Sequence, residues 1–287
     1  MSNANPQLTG IDMGFRRLSH GFTVRCTDQP IRDYVASVLH RFALDDRRDG
    51  TVYEVLDLGS SATEARFRLL VDGGWVLGSS NPAHILNDLF AHVNLDTVEA
   101  TRDLVLVHGG AVSTSSRDGV VLPAPSGSGK TTLVAGLVRA GFGYLSDEAA
   151  VLDPGTPTLL PSPTHLSLKA GSWSLFPEVA PDPVTAALSG DTWHVDPEDI
   201  RPRSVGQPCT VGFVVPHRFE AGAKTTVEPL SPAEACVELG RNLMAARRDA
   251  PRALDLLGRI CQGSSCNRLT WGDLDEAVET IQQLTAR

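Results

Sequence analysis

The stretch LPAPSGSGKTTL, from Leu122 to Leu133, holds the densest chemistry in the chain. Ala124–Thr131 reads A-P-S-G-S-G-K-T, which satisfies G-x-x-x-x-G-K-[ST] at every position except the first. Gly127 and Gly129 let the backbone curl so that successive N–H groups point inward. A helix opening near Lys130 adds the positive end of its dipole. Such a cradle grips phosphate: Lys130 reaches the outer phosphates of a nucleotide, and the Thr131 hydroxyl can ligate Mg²⁺. Ser126, Gly127, Ser128, Gly129, Lys130, Thr131 and Thr132 are the candidate nucleotide-binding residues. Ala124 is compatible with this if its φ is negative, because the donors come from later residues and Pro125 biases its predecessor toward extended backbone. A merely flexible Gly/Ser loop is the plainer alternative. Its place between an apolar strand and an apolar helix speaks against that.

The loop alone does not choose among ATPases, GTPases and kinases. The chain contains no N-K-x-D guanine reader and no LSGGQ transporter signature. The flanks say more. His108, in LVHGGAV, stands 22 residues before Lys130, and Asp147 and Glu148, in LSDE, stand 17 and 18 after it. Strand ends beside a phosphate loop line the crevice of an open α/β sheet. A carboxylate there binds Mg²⁺ or accepts the proton of a hydroxyl attacking the γ-phosphoryl group. An imidazole beside it tunes or orients its charge. The plainer readings are a satisfied strand-end histidine and an aspartate capping a turn; the spacing is what favours the site.

These residues need elements to position them. LVLVHGGAVST and GVVLPAP read as apolar strands joined by SSRDG; the loop follows, then a helix from KTTLVAGLVRAG, stopped by Gly141, then the strand FGYLSDEAAVLD. That strand–loop–helix–strand order is the core of an α/β nucleotide domain. Residues 1–100 read as a small N-terminal α+β domain. After a disordered polar stretch at 1–10 come the strand FTVRC, a helix capped by Asp28, three short strands, and a helix with Asn81 as cap and Pro82 at its first position. Beyond Pro154 the chain is rich in Pro, Ser and Gly. CTVGFVVPHRF and TTVEPL read as later strands, and the C-terminal end as helical, with Ser231 and Asp273 as caps.

Composition bounds the function. With 287 residues, 41% hydrophobic and 21% charged, a sizeable core is expected, and a net charge of −9 disfavours general binding to nucleic acid or anionic membrane. No run is long and apolar enough to span a bilayer, and the N-terminus lacks a signal-peptide layout. Five scattered cysteines with no zinc spacing point to reduced structural thiols and a cytoplasmic protein. Arg218, Arg241, Arg247 and Arg248 are candidates to clamp a transferred phosphoryl group, and Arg201 and Arg203 to touch an acidic substrate. Each is more often a solvated side chain than a ligand. Trp173, Trp193 and Trp271 read as packing anchors. His165, His194 and His217 form no cluster in sequence.

His-Gly, the phosphate loop and the acidic pair, at these spacings, resemble the bacterial HPr kinase/phosphorylase catalytic domain. That family is related to phosphoenolpyruvate carboxykinases and places a His-Gly before G-x-S-G-x-G-K-[ST] and an Asp-Asp pair after the loop helix. The resemblance is close over residues 104–153. It extends loosely through PTHLSLKAGSW, RPRSVGQPCTVGFVVPHR and GDLDEAV to HPr-kinase-related proteins of bacterial gene clusters. It implies an α/β P-loop catalytic domain over 101–287, using ATP and Mg²⁺ to phosphorylate a hydroxyl. Asp147 would be the base, His108 its neighbour, Lys130 the phosphate ligand, and Thr131 and Glu148 the metal ligands. It also implies a homo-oligomer, hexameric in that family. Two departures matter: Glu148 replaces the second Asp, and LSLKAG puts Ser167 and Lys169 where the family has the Glu and Arg of L-E-I-R-G. These changes bear on the metal set, the phosphorylase back-reaction and the acceptor, which need not be the HPr phosphocarrier. A serine of a peptide or protein is the expected acceptor. A small-molecule hydroxyl kinase, a nucleotide-binding regulator and a plain ATPase are the competing readings.

Overall fold

A computed structural model describes residues 10–45, 50–59, 65–245 and 249–286. They form a mixed α/β structure that divides into two compact units, one of residues up to 101 with 180–193, the other of 102–179 with 194 onward. The disordered segment expected at 1–10 lies, Gly10 apart, outside the described residues.

The first unit is a five-stranded sheet in the order β1 (Ile11–Arg17), β2 (His20–Cys26), β3 (Thr51–Asp57), β4 (Phe67–Val71), β5 (Gly74–Ser79). Only β2 and β3 run parallel, joined by the crossover helix α1 (Gln29–Leu39). Asp28 caps α1 by accepting from Ile31 N, and Asn81 caps α2 (Pro82–Ala100) by accepting from Ala83 N, each with Pro in the first turn. Alternation along the strands sends Phe22, Val24, Tyr53, Val55 and Leu69 into a core closed by Ile31, Val35, Leu86 and Leu89 of the helices. Strand β1 is not expected from the sequence, since IDMGFRR has neither strict alternation nor a β-branched run. It is held by full antiparallel pairing with β2.

The second unit holds the candidate loop. Its nine-stranded sheet is built on β6 (Val105–Ser113) and β7 (Asp118–Pro123), an antiparallel hairpin. The loop leads from β7 into α3 (Lys130–Arg139), then β8 (Gly143–Ser146), β9 (Ala149–Leu152) and β10 (Thr158–Leu160). FGYLSDEAAVLD is therefore not one strand. It breaks at Asp147–Glu148, where the Ser146 hydroxyl accepts from the N–H groups of Glu148 and Ala149 and turns the chain. Strand β11 (Leu166–Lys169) follows, then α4 (Pro183–Ser189), which packs in the first unit's core through Leu188, then β12 (Thr192–Val195) and α5 (Pro197–Ile200). Next come β13 (Cys209–Val214), β14 (His217–Phe219), β15 (Thr226–Pro229), α6 (Pro232–Arg241) and α7 (Ala250–Gly263). The chain ends with β16 (Ser265–Trp271) and α8 (Leu274–Thr285), capped by Asp273 as expected.

The main sheet order is β10-β9-β6-β7-β13-β16-β14, with β8 on β6 and β15 on β16. Strand β16 corrects the reading of a wholly helical C-terminal end. It runs parallel to β13 and to β14. Its hydrophobic signal, Leu-Thr-Trp, is only three residues long and follows directly on a helix of strong periodicity.

Strand β6 is covered on both sides, which explains why its sequence is apolar on both faces apart from His108 and the terminal Ser113. Val105, Val107 and Ala111 face the core shared with Ala235 and Leu239 of α6 and Leu256, Leu257 and Ile260 of α7. His108 and Gly110, on the other face, meet α3. A Cβ on Gly110 would come within 2.5 Å of Val134 Cγ2 on that helix. His108 shares the face of Gly110 and so meets the first turn of α3. On the far side of α3, Gly136 lets Leu274 and Val278 of α8 approach; a Cβ there would lie 2.8 Å from Leu274 Cδ1.

Gly110→Ala should destabilise the protein by roughly 1–3 kcal/mol, since the added methyl overpacks the β6–α3 contact. Urea unfolding measures this, and an unchanged midpoint would refute the close approach.

Candidate functional site

The loop lies between the end of β7 and the first residue of α3. Ala124 is 1% exposed and is not among the residues of positive φ, so alanine is accommodated where the pattern has glycine. Gly127 and Gly129 both have φ of +83°, a left-handed conformation that disfavours any side chain. Gly129 is doubly constrained, because a Cβ there would sit 2.8 Å from Trp271 Cζ2 and 3.0 Å from Phe219 Cβ. The Phe219 N–H donates to the Ser128 carbonyl at 3.1 Å. Strands β14 and β16 thus form a ledge against which the loop is moulded. Ser126 is exposed, Ser128 buried, and Thr131 and Thr132 half-buried.

Lys130 is 8% exposed, and its Nζ lies 2.7 Å from His108 Nε2. His108 Nδ1 lies 3.0 Å from the Glu148 carbonyl oxygen, which can only accept. Nδ1 therefore carries the proton, and Nε2 offers its lone pair to the ammonium. Burial, and then the Lys130 charge, push His108 below the usual histidine range, which keeps this neutral tautomer. Burial also lowers Lys130, against the opposing pull of Glu148 and Asp147. The Gly109 N–H shares the Glu148 carbonyl at 3.3 Å, tying β6 to the β8–β9 corner. His108 was expected beside the Asp147 carboxylate. The Asp147 charge does act on it, but its hydrogen bonds go to the ammonium and the Glu148 backbone.

Asp147 is fully buried. Its Oδ1 accepts from the Tyr144 hydroxyl at 3.2 Å and the Thr164 hydroxyl at 3.3 Å, while Oδ2 has no hydrogen-bond partner. Burial raises its pKa to about 6, and the Glu148 charge adds to this; Lys130, the nearby Thr131 hydroxyl and Tyr144 oppose it. Glu148 is half-buried. The structure thus gathers Lys130, His108, Asp147 and Glu148 midway along β6, next to Thr131; His108, expected at a strand end, is the fourth residue of the nine in β6, where pairing with β9 gives way to pairing with β7.

The other candidates are engaged separately, Arg218 among them although it lies on β14 beside the loop. Arg201 holds the end of α3, donating to the Val138 and Phe142 carbonyls at 2.9 and 2.7 Å. Arg203 is exposed, Arg218 pairs with Glu220 at 3.1 Å, and Arg241 pairs with Glu238 at 3.4 Å. Arg247 and Arg248 lie outside the described residues. Ser167 is half-buried and Lys169 exposed, both on β11. Trp173 anchors its loop by donating to the Leu168 carbonyl at 2.9 Å. His165 lies 3.8 Å from Asp196, and burial followed by the His165 charge pushes His194 down to about 4. Sequence reasoning missed Tyr144 and Thr164, which hold Asp147, and the ledge of His217, Phe219 and Trp271. Hydroxyls and rings carry no spacing signature: Tyr144 stands three residues before Asp147, Thr164 lies in the connection 17 residues after it, and the ledge comes from β14 and β16.

No family model and no curated protein compared with the chain matches it. Among solved structures it is similar to the Hpr(Ser) kinase/phosphatase from Coxiella burnetii, with 8% identity and a TM-score of 0.32 over 62% of this chain and 96% of that one.

The raised pKa makes Asp147 a destabilising charge at neutral pH. The folded state binds its proton more tightly than the unfolded chain, so its carboxyl favours folding below the unfolded pKa and loses that advantage as pH rises through about 6. Asp147→Asn should therefore raise stability at pH 7.5 by on the order of 3 kcal/mol, with the gain vanishing near pH 4. Thermal unfolding across that range tests it, and a variant less stable than wild type at pH 7.5 would contradict the burial argument.

Proposed function

We propose that the protein is an ATP- and Mg²⁺-dependent phosphotransferase that passes the γ-phosphoryl group to a hydroxyl, with a serine of a peptide or protein as the acceptor. One observation carries the reading. The Lys130 ammonium, held by a neutral His108, stands beside a curled glycine loop and a buried carboxylate that has one oxygen unspent. The His-Gly, loop and acidic-pair resemblance supports the same class.

The bound nucleotide and Mg²⁺ would supply the phosphoryl group and much of the charge neutralisation. The donor set suits them: inward N–H groups at a helix N-terminus for phosphate, and the Thr131 hydroxyl and Glu148 carboxylate as hard oxygen ligands for the metal. His108 accepts a single hydrogen bond from Lys130, which leaves two ammonium N–H bonds for phosphate oxygens. Tyr144 and Thr164 fix Oδ1 of Asp147, and Oδ2 is then the oxygen able to take the proton of an attacking hydroxyl. The N-terminal residues 1–100 and the catalytic span 101–287 are the functional division within this reading. A cytoplasmic location and a homo-oligomeric state belong to it too, and nucleic acid and membrane are not among its partners.

A second reading has its own observation. Asp147 has no exposure at all, which suits a nucleotide-binding regulator, or an ATPase without an organic acceptor, as well as a kinase.

Transfer from γ-labelled ATP to serine peptides and to small hydroxyl metabolites separates these. Asp147→Asn should bind MgATP within about threefold of wild type yet transfer at least a hundredfold more slowly, given the usual size of a general-base effect; normal transfer by this variant would remove Asp147 from the chemistry. Because the base must be ionised, kcat/KM should climb with pH and level off above about 6. A profile flat from pH 5 to 8 would contradict the assignment.

A further inference from the structure

Three of the buried side-chain atoms left without a hydrogen-bond partner stand around the loop: Ser128 Oγ, Asp147 Oδ2 and His217 Nε2. An unpaired buried donor or acceptor is unfavourable and uncommon, so a cluster of them at one place asks for a reason. Asp147 belongs to the chemistry described above. His217 and Ser128 do not yet have a role.

The tautomer of His217 follows from its partner. Trp271 Nε1, which can only donate, lies 3.4 Å from His217 Nδ1, so Nδ1 holds the lone pair. Burial, and then the Lys130 charge, push the imidazole down to about 3, so it is neutral and its proton is on Nε2. That N–H is the unpaired donor. His217 is 5% exposed and Ser128 8%. The two are linked through the backbone, because Phe219, two residues along β14 and on the same strand face as His217, donates its N–H to the Ser128 carbonyl. Trp271, the ring that fixes His217, also backs Gly129. A donor without an acceptor and a hydroxyl without a partner therefore lie on elements already stitched together.

We propose that His217 is a positioning residue for the loop, its Nε2–H pairing with the Ser128 hydroxyl when the loop closes on a bound phosphate and turning that hydroxyl's hydrogen toward the anion. The proposal rests on the phosphate-loop reading of 124–132. Its energetic logic is differential: a pair absent in the free loop and made in the occupied one favours binding without stabilising the free protein. His217 itself does not touch the substrate.

The test is MgATP and Mg-triphosphate binding by titration calorimetry, together with the Tm of the ligand-free protein, for His217→Met, His217→Gln, Ser128→Ala, the Ser128→Ala/His217→Met pair, and Lys130→Ala. Gln keeps an N–H donor for Ser128 and a carbonyl able to accept from Trp271, whereas Met keeps no donor and only a weak thioether acceptor, so the Ser128→Ala/His217→Met pair is what isolates the N–H contact to Ser128. We expect His217→Met to weaken binding about tenfold and His217→Gln to stay within about threefold, a single hydrogen bond's difference. Ser128→Ala should weaken binding similarly while its ligand-free Tm holds or rises, and the double variant should bind no worse than the weaker single. Equal binding by the Met and Gln variants, additive losses, a fall in the Tm of Ser128→Ala, or failure of His217→Met to fold while the Gln variant folds would each overturn the proposal. Lys130→Ala is the control for the loop. If it binds both ligands like wild type, the phosphate-loop reading fails with the proposal; if it loses them while His217→Met does not, only the proposal fails.

Discussion

A lysine that is 8% exposed needs a partner that does not cancel its charge, and the second unit is organised around that need. Desolvating an ammonium is unfavourable by several kcal/mol, and a carboxylate in hydrogen-bond contact would occupy it fully. A neutral imidazole is the compromise: it accepts one hydrogen bond, leaves the positive charge in place, and is kept neutral by the same burial. For His108 to serve, its Nδ1–H must be engaged elsewhere, and the Glu148 carbonyl does this at 3.0 Å. That contact is made alongside the register of β6 against β9, which sets His108 opposite Ala149, the break at the Ser146 turn, and the close approach of α3 that Gly110 permits.

The same arrangement accounts for the acidic pair. A continuous strand through Leu145–Val151 would send Asp147 and Glu148 to opposite faces. The Ser146 turn instead makes them a corner, one carboxylate buried against Tyr144 and Thr164 and the other half-exposed. Adjacent residues of nearly identical chemistry thereby acquire different environments. Burial then separates them chemically: one carboxyl is raised toward neutrality, and the proposed function would use it to exchange a proton and its half-exposed neighbour to meet a cation.

The ledge under the loop imposes a second constraint. Positive φ at Gly127 and Gly129 makes the curl possible, but glycine permits many other shapes as well. Packing of Trp271 and Phe219 against Gly129, with the Phe219 N–H on the Ser128 carbonyl, selects one of them. A segment composed of serine and glycine is thus given shape by two aromatic residues that lie 90 and 142 positions beyond it.

Local signals in the chain were enough for the caps at Asp28, Asn81, Ser231 and Asp273, for the strand–loop–helix unit, and for the residue types able to do phosphate chemistry. Each depends on neighbours within a few positions, where propensity, capping and turn geometry act. The acceptance of Ala124 was legible for the same reason, since Pro125 constrains it directly. What only the tertiary structure decided is which groups meet. It gave the hydrogen bonds of His108 to Lys130 and the Glu148 carbonyl, made Ser265–Trp271 a strand of the main sheet, and set His217 beside the loop. Those outcomes come from strand order and from burial on both faces of β6, which are properties of the whole packed sheet; no window of sequence short enough to read by pattern contains them.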